Sequence, residues 1–348
     1  MMNQYTLGII GCGDFLRTQS DALKNSVRIN VRSLYDPLKD RAASFAKTLG
    51  GNVADSPDAI LRDPDIDIVG LFVPPWLRKD MIISAAANNK HILATKPFTS
   101  EIDDCYEALG AIDNAANDSA ANGNAPTIQC GVIYGRAGSG LWETYKKIFD
   151  SGAIGKLALY KHDWLHHYPM WNNWATDPVR NGGPFMDAMI HNMNIAEYLM
   201  GAPATKCTFF SDRHAHPDMK CGDTEFMKLD FTSGRSAHLF ITWGADLEVY
   251  SNEGNYREHI DIKYMVTDQG WRLTDGIVDG VNSITASKLG QKQTWAVERI
   301  SPSLFDRFAM FLDGDAPWPS DLSTAREAAQ DIRIIRTAYK NNGIPFDI

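Results

Sequence analysis

The chain has 348 residues, more than one ordinary hydrophobic core accommodates and about right for two domains. Its composition, 44% hydrophobic and 22% charged, describes a soluble globular protein, and no apolar run approaches the roughly eighteen residues a membrane span needs. A formal charge of −9, from 34 basic and 43 acidic side chains with no basic run, argues against nucleic acid or an anionic membrane surface as partner.

The N-terminus lacks a basic region followed by an apolar core and runs straight into a strand over residues 5–10. That strand enters Gly11-Cys12-Gly13-Asp14-Phe15-Leu16 and then a helical segment. A second strand, 29–35, ends at Asp36-Pro37, and an Ala-rich helix follows to about Leu49. Residues 66–73 form a continuous apolar run, as in a strand covered on both faces, and end at Pro74-Pro75-Trp76. A helix over 81–88 leads into a strand over 91–95 and then Lys96-Pro97. Ser100 with Asp103 marks the start of a helix to about Asn117, residues 119–126 are a loop by composition, and 127–134 is one more buried strand. Strand and helix alternate with short connections, which predicts an α/β domain with a doubly wound parallel sheet over residues 1–126.

After about residue 150 the texture changes. Residues 157–164, 224–231, 236–243 and 259–266 read as longer strands, with a turn at Ser233-Gly234. Glu225, Met227, Leu229 and Phe231 alternate with Phe226, Lys228 and Asp230, so one face is less buried than the other. Successive strands without intervening helices predict an α+β domain, 127–348, on a mostly antiparallel sheet. Thr324-x-x-Glu327 is a capping box opening a helix near 324–340, with Gly343 as its stop, and this helix is expected to pack back on the first domain.

Four stretches carry chemistry. In the first, the glycines of Gly11-x-Gly13 permit a tight turn and let backbone N–H groups approach a pyrophosphate at a helix N-terminus, although Leu16 stands at the third position of the fingerprint. Asp36, 23 positions beyond Gly13, is placed to accept hydrogen bonds from a ribose diol and to repel a 2′-phosphate. NAD is therefore favoured over NADP, with Lys39 and Arg41 as nearby cations. In the second, Thr95-Lys96-Pro97 lies at the carboxyl end of a parallel strand, where ligands of such sheets bind. The expected cofactor positions are Gly11, Cys12, Gly13, Asp14, Phe15, Asp36, Arg41, Val73, Pro74, Trp76, Thr95, Lys96 and Pro97.

In the third, residues 181–194, two glycines and Pro184 introduce a helix on which Asp187 and His191, four apart, share one face. A carboxylate beside an imidazole is a working general-base pair. The fourth, between 162 and 174, carries His162, Trp164, His166, His167, Tyr168, Trp171 and Trp174, and is read as an aromatic lid for a carbohydrate or polyol. Tyr134, Trp164 and Trp174, with Lys96, Asp187 and His191, are the expected substrate contacts. No H-E-x-x-H occurs, and His214, His216, Asp218 and Cys221 read as a polar loop, so no metal is expected. Five widely spaced cysteines (Cys12, Cys105, Cys130, Cys207, Cys221) without a C-x-x-C pair suggest neither disulfides nor a zinc ribbon, and a reduced, cytoplasmic protein.

G-I-I-G-C-G at 8–13, A-T-K-P-F at 94–98 and N-G-G-P-F-M-D-A-M-I-H-N-M-N at 181–194, in this order across nearly the whole chain, resemble the glucose-fructose oxidoreductase/inositol dehydrogenase/MocA family. The resemblance implies an N-terminal Rossmann domain, a C-terminal domain on a large open sheet, and homodimers or homotetramers packed through that sheet. It implies that Lys96, Asp187 and His191 form the catalytic set, without a catalytic metal. Thr95 departs from the family's Glu; Asn181, Met189 and Asn194 depart from a Gly, a Gly and an Asp. Arg78 stands where the family often has a His, and Gly135 holds the place of a common arginine, with Arg136 one position on. The implied reaction is NAD-dependent oxidation of a secondary hydroxyl of a sugar, polyol or glycoside. His191, with an ordinary pKa of about 6.5, takes the hydroxyl proton, Asp187 holds its ring, and Lys96 stabilises the developing charge on oxygen. The alternatives are a non-catalytic NAD- and sugar-binding sensor and an NAD-dependent glycosidase of the same fold.

Overall fold

A computed structural model describes residues 3–121, 128–166, 174–245 and 260–348. The chain forms two compact units, one of Met1–Gly138 with Ile300–Ile332, the other of Ser139–Arg299 with Arg333–Ile348.

In the first unit the elements run β1 (Tyr5–Ile10), α1 (Asp14–Lys24), β2 (Ile29–Tyr35), α2 (Lys39–Leu49), β3 (Asn52–Val53), α3 (Pro57–Leu61), β4 (Ile68–Leu71), α4 (Arg78–Ala87), β5 (His91–Thr95), α5 (Ile102–Ala121) and β6 (Cys130–Ile133). These strands pair in parallel in the order β6-β5-β4-β1-β2-β3. The order reverses between β4 and β1, so the crevice beyond the carboxyl ends of those two strands is the topological switch point. Every residue of β4, β5 and β6 is buried, as strands covered on both faces require.

The apolar run 66–73 supplies only four paired residues. Ile66 instead packs against Gly8, and Phe72 and Val73 are buried beyond the ladder. Hydrophobicity reports burial, not pairing. Helix α4 starts at Arg78, earlier than the apolar pattern indicates, and α5 runs on through Ala121.

The second unit contains α6 (Gly140–Ser151), β7 (Leu157–Leu165), a π-helical turn (Phe185–Met189) leading into α7 (Ile190–Met200), and then β8 (Lys206–Asp212), β9 (Thr224–Asp230), β10 (Ser236–Thr242), β11 (Ile260–Thr267), β12 (Arg272–Val278), β13 (Val281–Lys288) and β14 (Gln291–Ala296). They form a sheet in the order β14-β13-β12-β11-β7-β10-β9-β8, antiparallel among the described strands except for β7 with β10. Strand β9 alternates strictly, with Glu225, Met227 and Leu229 on the buried face. Strands β8 and β12–β14 were not anticipated. Strands β12–β14 are rich in Thr, Ser, Lys and Gln with exposed positions on both faces, so periodicity is silent there, while β8 buries Cys207 and Phe209 on one face in a short run; the Asp279-Gly280 turn between β12 and β13, with φ of 50° and 79°, carried a hairpin signal.

The remaining elements are α8 (Leu304–Leu312), β15 (Ser323–Thr324), α9 (Ala325–Lys340) and β16 (Phe346–Asp347). Phe305, Phe308 and Ala309 of α8 lie in the same buried cluster as Leu7, Ile9, Leu34 and Leu93 of the parallel sheet. Strand β15 adds an antiparallel edge to β6. The Thr324–Glu327 box is formed: Thr324 N–H donates to Glu327 Oε2 (2.8 Å) and Glu327 N–H to Thr324 Oγ1 (3.2 Å). The division between the two units falls within α9, after Ile332, and β16 closes the antiparallel sheet beside β8.

Candidate active site

In the first unit the predicted cofactor residues gather at the switch point. Gly11 has φ of 99°, and a Cβ there would come 2.3 Å from Phe72 O, so only glycine lets β1 pass that close to the end of β4. Gly13, at the N-cap of α1, faces open space: nothing lies within 4 Å of a Cβ built on it. Cys12, Gly13, Asp14, Arg17, Arg41, Ser44 and Phe45 line an open cavity of about 250 Å³.

Asp36 closes β2 beside that turn and is 7% exposed. Its Oδ2 accepts the Cys12 N–H (2.9 Å) and its Oδ1 the Leu38 N–H (2.9 Å). Each oxygen keeps a second lone pair for a ribose hydroxyl. Glycine-turn amides at a helix N-terminus, an acid at the end of β2 and free space at Gly13 fit a dinucleotide. Leu16, at the third position of the fingerprint, is fully buried core. Phe15 packs on Phe72 with ring centroids 4.8 Å apart, next to the buried Val73. Pro74 and Trp76, half-buried, belong to the short turn between β4 and α4.

Lys96 follows β5 half-buried, with its N–H donating to Ile133 O (3.1 Å). Its flanks are tied down by Arg78, which is 2% exposed. The guanidinium donates to Val73 O through Nε (2.9 Å), to Thr95 O, to Pro97 O and to Thr95 Oγ1 (2.5 Å). Two departures from the family pattern, Arg78 and Thr95, are thus bonded to each other. Burial without a carboxylate partner pushes the Arg78 guanidinium down to about 9, with the Tyr134 phenol opposing. Tyr134, just beyond β6, is 2% exposed. Arg136 is spent on structure, donating to Ser320 O (2.6 Å) and Ser323 Oγ (3.1 Å).

In the second unit the expected regular helix at 185–194 is corrected: Phe185–Met189 is a π-turn, and the α-helix begins at Ile190. Asp187 and His191 straddle that junction, both half-buried. Bonding at i→i+5 widens a turn only slightly, so a spacing of four still returns nearly to the same face, and π-turns concentrate at functional sites. Asn181, where the family has Gly, is 1% exposed; its Nδ2 donates to Ala175 O (3.1 Å) and toward Asp187 Oδ1 (3.4 Å).

The aromatic segment divides. Trp164 at the end of β7 meets His166 edge-on with centroids 4.6 Å apart, and Trp174 is half-buried, while His167, Tyr168 and Trp171 lie outside the described residues. His162 is buried on the sheet, linked to Tyr160 Oη (2.8 Å) and Asp261 Oδ1 (2.6 Å). Asp223 accepts the His214, Ala215 and His216 N–H groups, so the 214–221 loop is wrapped around a carboxylate. No cluster of three or more metal-ligating side chains occurs among the described residues. All five cysteines are buried and free, and burial pushes their thiols up to about 12, which removes them as thiolate nucleophiles. Among the described residues no helix is long and apolar enough to cross a membrane.

The sequence reading passed over Arg78 as a structural tie and Glu225 altogether as a site residue. Glu225 announced itself only as a carboxylate in the apolar register of β9.

Residues 5–118 match the family model described as an oxidoreductase family with an NAD-binding Rossmann fold, and residues 142–257 match the GFO/IDH/MocA C-terminal domain. The scyllo-inositol 2-dehydrogenase (NAD(+)) of Bacillus subtilis is 30% identical over 270 residues, covering 73% of this chain and 74% of that protein. The 2,7-anhydro-N-acetylneuraminate hydratase of Escherichia coli is 25% identical over 249 residues, 68% of this chain and 61% of that one. Among solved structures, the aldose-aldose oxidoreductase of Caulobacter crescentus, complexed with glycerol, superimposes with a TM-score of 0.79 at 17% identity over 99% of this chain and 100% of that one, a likeness of fold.

Proposed function

The chain belongs to the GFO/IDH/MocA oxidoreductase family and has its NAD-binding Rossmann domain, and from this premise we propose that it oxidises a secondary hydroxyl of a sugar or polyol. NAD, when bound, accepts the hydride from the alcohol carbon. His191 takes the hydroxyl proton as general base, Asp187 orients the imidazole and favours its protonated form, and Lys96 donates a hydrogen bond to the reacting oxygen as negative charge develops there. The observation that carries this reading is the retention of an Asp/His pair on a buried, capped π-turn together with an acid and a glycine turn suited to NAD. A protein that only sensed its ligands would not need Lys96, Asp187 and His191 together.

The inositol dehydrogenase relative supports a cyclic polyol or pyranose as the substrate class. The hydratase relative favours a second reading, in which oxidation is transient and NAD is regenerated within the turnover. One experiment covers both. The protein is incubated with NAD and a panel of inositols, aldoses and glycosides, followed at the absorbance of reduced nicotinamide, with parallel analysis of the sugar products. Accumulating NADH with an oxidised sugar supports the dehydrogenase; a changed sugar without net NADH supports the transient route. Removing a general base costs about 10²–10⁴-fold, so His191→Ala should lose kcat by that factor and keep its affinity for NAD. A normal turnover number in that variant would remove the role assigned to His191.

We also place the protein in the cytoplasm and assign it an oligomer formed through the outer face of the antiparallel sheet. Phe210, Phe226, Phe240, Asp163 and Ile262 are consecutive cross-strand neighbours on that face. Phe210, Ile262 and Tyr264 are 45%, 51% and 42% exposed, apolar positions of the kind that mark an interaction surface, in a row that Asp163 interrupts.

A further inference from the structure

Glu225 is a carboxylate on the buried face of β9 with no exposed surface. A strand position flanked in register by Met227 and Leu229 is an expensive place for an ionisable group unless it is hydrogen-bonded. Its partners all point to one place. Oε2 accepts the Phe185 N–H (2.7 Å) and the Tyr339 Oη–H (3.2 Å), and Oε1 accepts the Ser211 Oγ–H (3.0 Å).

The Phe185 contact satisfies a backbone donor at the start of the π-turn. A helix N-terminus leaves its first amides without intrahelical partners. Pro184 has no N–H to satisfy. The Phe185 N–H is taken by Glu225, and the Asp187 N–H donates to Gly183 O (2.9 Å). Gly183 itself, with φ of 125°, leaves room for this arrangement: a Cβ there would come 3.3 Å from both Cys221 Sγ and Glu225 Oε1. The second glycine of the Asn-Gly-Gly-Pro motif and the buried glutamate therefore belong to one device.

We propose that Glu225 is a positioning residue for the reaction, capping the Phe185–Met189 π-turn from the strand beneath it and so fixing Asp187 and, one turn on, His191. The inference rests on the reading of Asp187 and His191 as catalytic. The titratable and charged groups around Glu225 are Tyr339 and Arg336 on α9, Cys221 and Asp223 ahead of β9, and Arg213 beyond β8. Burial and Asp223 raise its pKa, to about 8, against the lowering effect of its three donors. The neutral form that prevails at pH 7 still accepts the Phe185 N–H, so the cap does not require a buried charge.

Two measurements test this. Hydrogen–deuterium exchange of the full chain is compared for wild type, Glu225→Gln and Glu225→Ala. In the alanine variant the amides of 185–191 should exchange at least about tenfold faster while those of β10 hold, and in the glutamine variant, which keeps an acceptor for Phe185, they should stay within about threefold of wild type. Steady-state kinetics should show kcat falling about tenfold or more in Glu225→Ala with the KM for NAD unchanged, and recovery in Glu225→Gln. If Glu225→Ala does not fold, Tyr339→Phe removes a donor that holds the Glu225 carboxyl in place beneath Phe185 and should accelerate the same amides.

Unchanged exchange at 185–191 in Glu225→Ala, or in Tyr339→Phe should that variant replace it, overturns the proposal. So does wild-type kcat in Glu225→Ala alongside an inactive His191→Ala. An inactive wild type on every sugar, with faster exchange at 185–191, would leave the cap standing and count against the catalytic reading instead.

Discussion

Arg78 offers the sharpest quantitative test of the first unit. Its guanidinium is 2% exposed and bonds the carbonyls of Val73, Thr95 and Pro97, so it joins the end of β4 to both flanks of Lys96. Replacing it by methionine keeps the length and removes every donor. A buried carbonyl left without a donor costs about 1–3 kcal/mol, which for three would reach roughly 3–9 kcal/mol. Opposing this is the relief of a buried cation, whose burden is visible in the drop of Arg78 to about 9. Local rearrangement admits water to some of the carbonyls, so the net loss should be about 2–4 kcal/mol, a large share of the stability of an ordinary domain. Urea denaturation followed by tryptophan fluorescence measures it as a fall in midpoint at constant slope. The affinity for NAD should weaken in step, because Thr95 and Pro97 lose their anchor. Arg78→Met within about 0.5 kcal/mol of wild type, with NAD affinity intact, would refute the claim that this residue holds the strand ends together.

Three further outcomes are expected. Asp36→Ser removes the carboxylate expected to repel a 2′-phosphate, beside a cavity that Cys12, Arg17, Arg41 and Ser44 line, so the ratio of kcat/KM for NAD over NADP should fall by about tenfold or more; an unmoved ratio would show that Asp36 does not set cofactor choice. Glu225 has its pKa raised from 4.5 to about 8 by burial, so the folded state holds this proton more tightly than the unfolded chain, and stability is lost as pH rises across that window. The shift corresponds to roughly 4–5 kcal/mol, and His91, pushed down to about 4 by burial, contributes with the opposite sign up to about pH 6.5. The readout is therefore the difference in pH-dependence between wild type and Glu225→Gln, and parallel curves would exclude a buried titrating carboxyl at this place. Phe226→Asp, between Phe210 and Phe240 on the outer sheet face, should turn an oligomer into a monomer by light scattering at micromolar concentration, and a wild type already monomeric there removes the proposed interface.

Elements whose sequence pattern and burial coincide were legible to the residue. Strands β1 and β5 begin and end where the runs 5–10 and 91–95 do, because a strand covered by helices on both faces is largely apolar, and β2 keeps the bounds 29–35 although Asn30, Arg32 and Ser33 interrupt its apolar pattern. The capping box at Thr324 and the turn at Ser233-Gly234, with φ of 64° and 72°, follow from local backbone chemistry and need no tertiary partner. Strands β12–β14 went unread because they present polar residues on both faces, leaving no period to detect. The π-turn went unread for a different reason: i→i+4 and i→i+5 bonding accept the same apolar spacing over five residues.

The sequence alone determined the alternating α/β first half, the glycine turn with Asp36, and the order of the three motifs, since each is written in local residue types and short spacings. Tertiary structure alone decided which polar groups are buried together. Arg78 meets Thr95 and Pro97 across seventeen and nineteen positions, and Glu225 meets Phe185 across forty. No local pattern encodes such pairs, because a buried charge or carboxyl is tolerated only where distant backbone donors and acceptors converge on it, and that convergence exists only once the chain has folded.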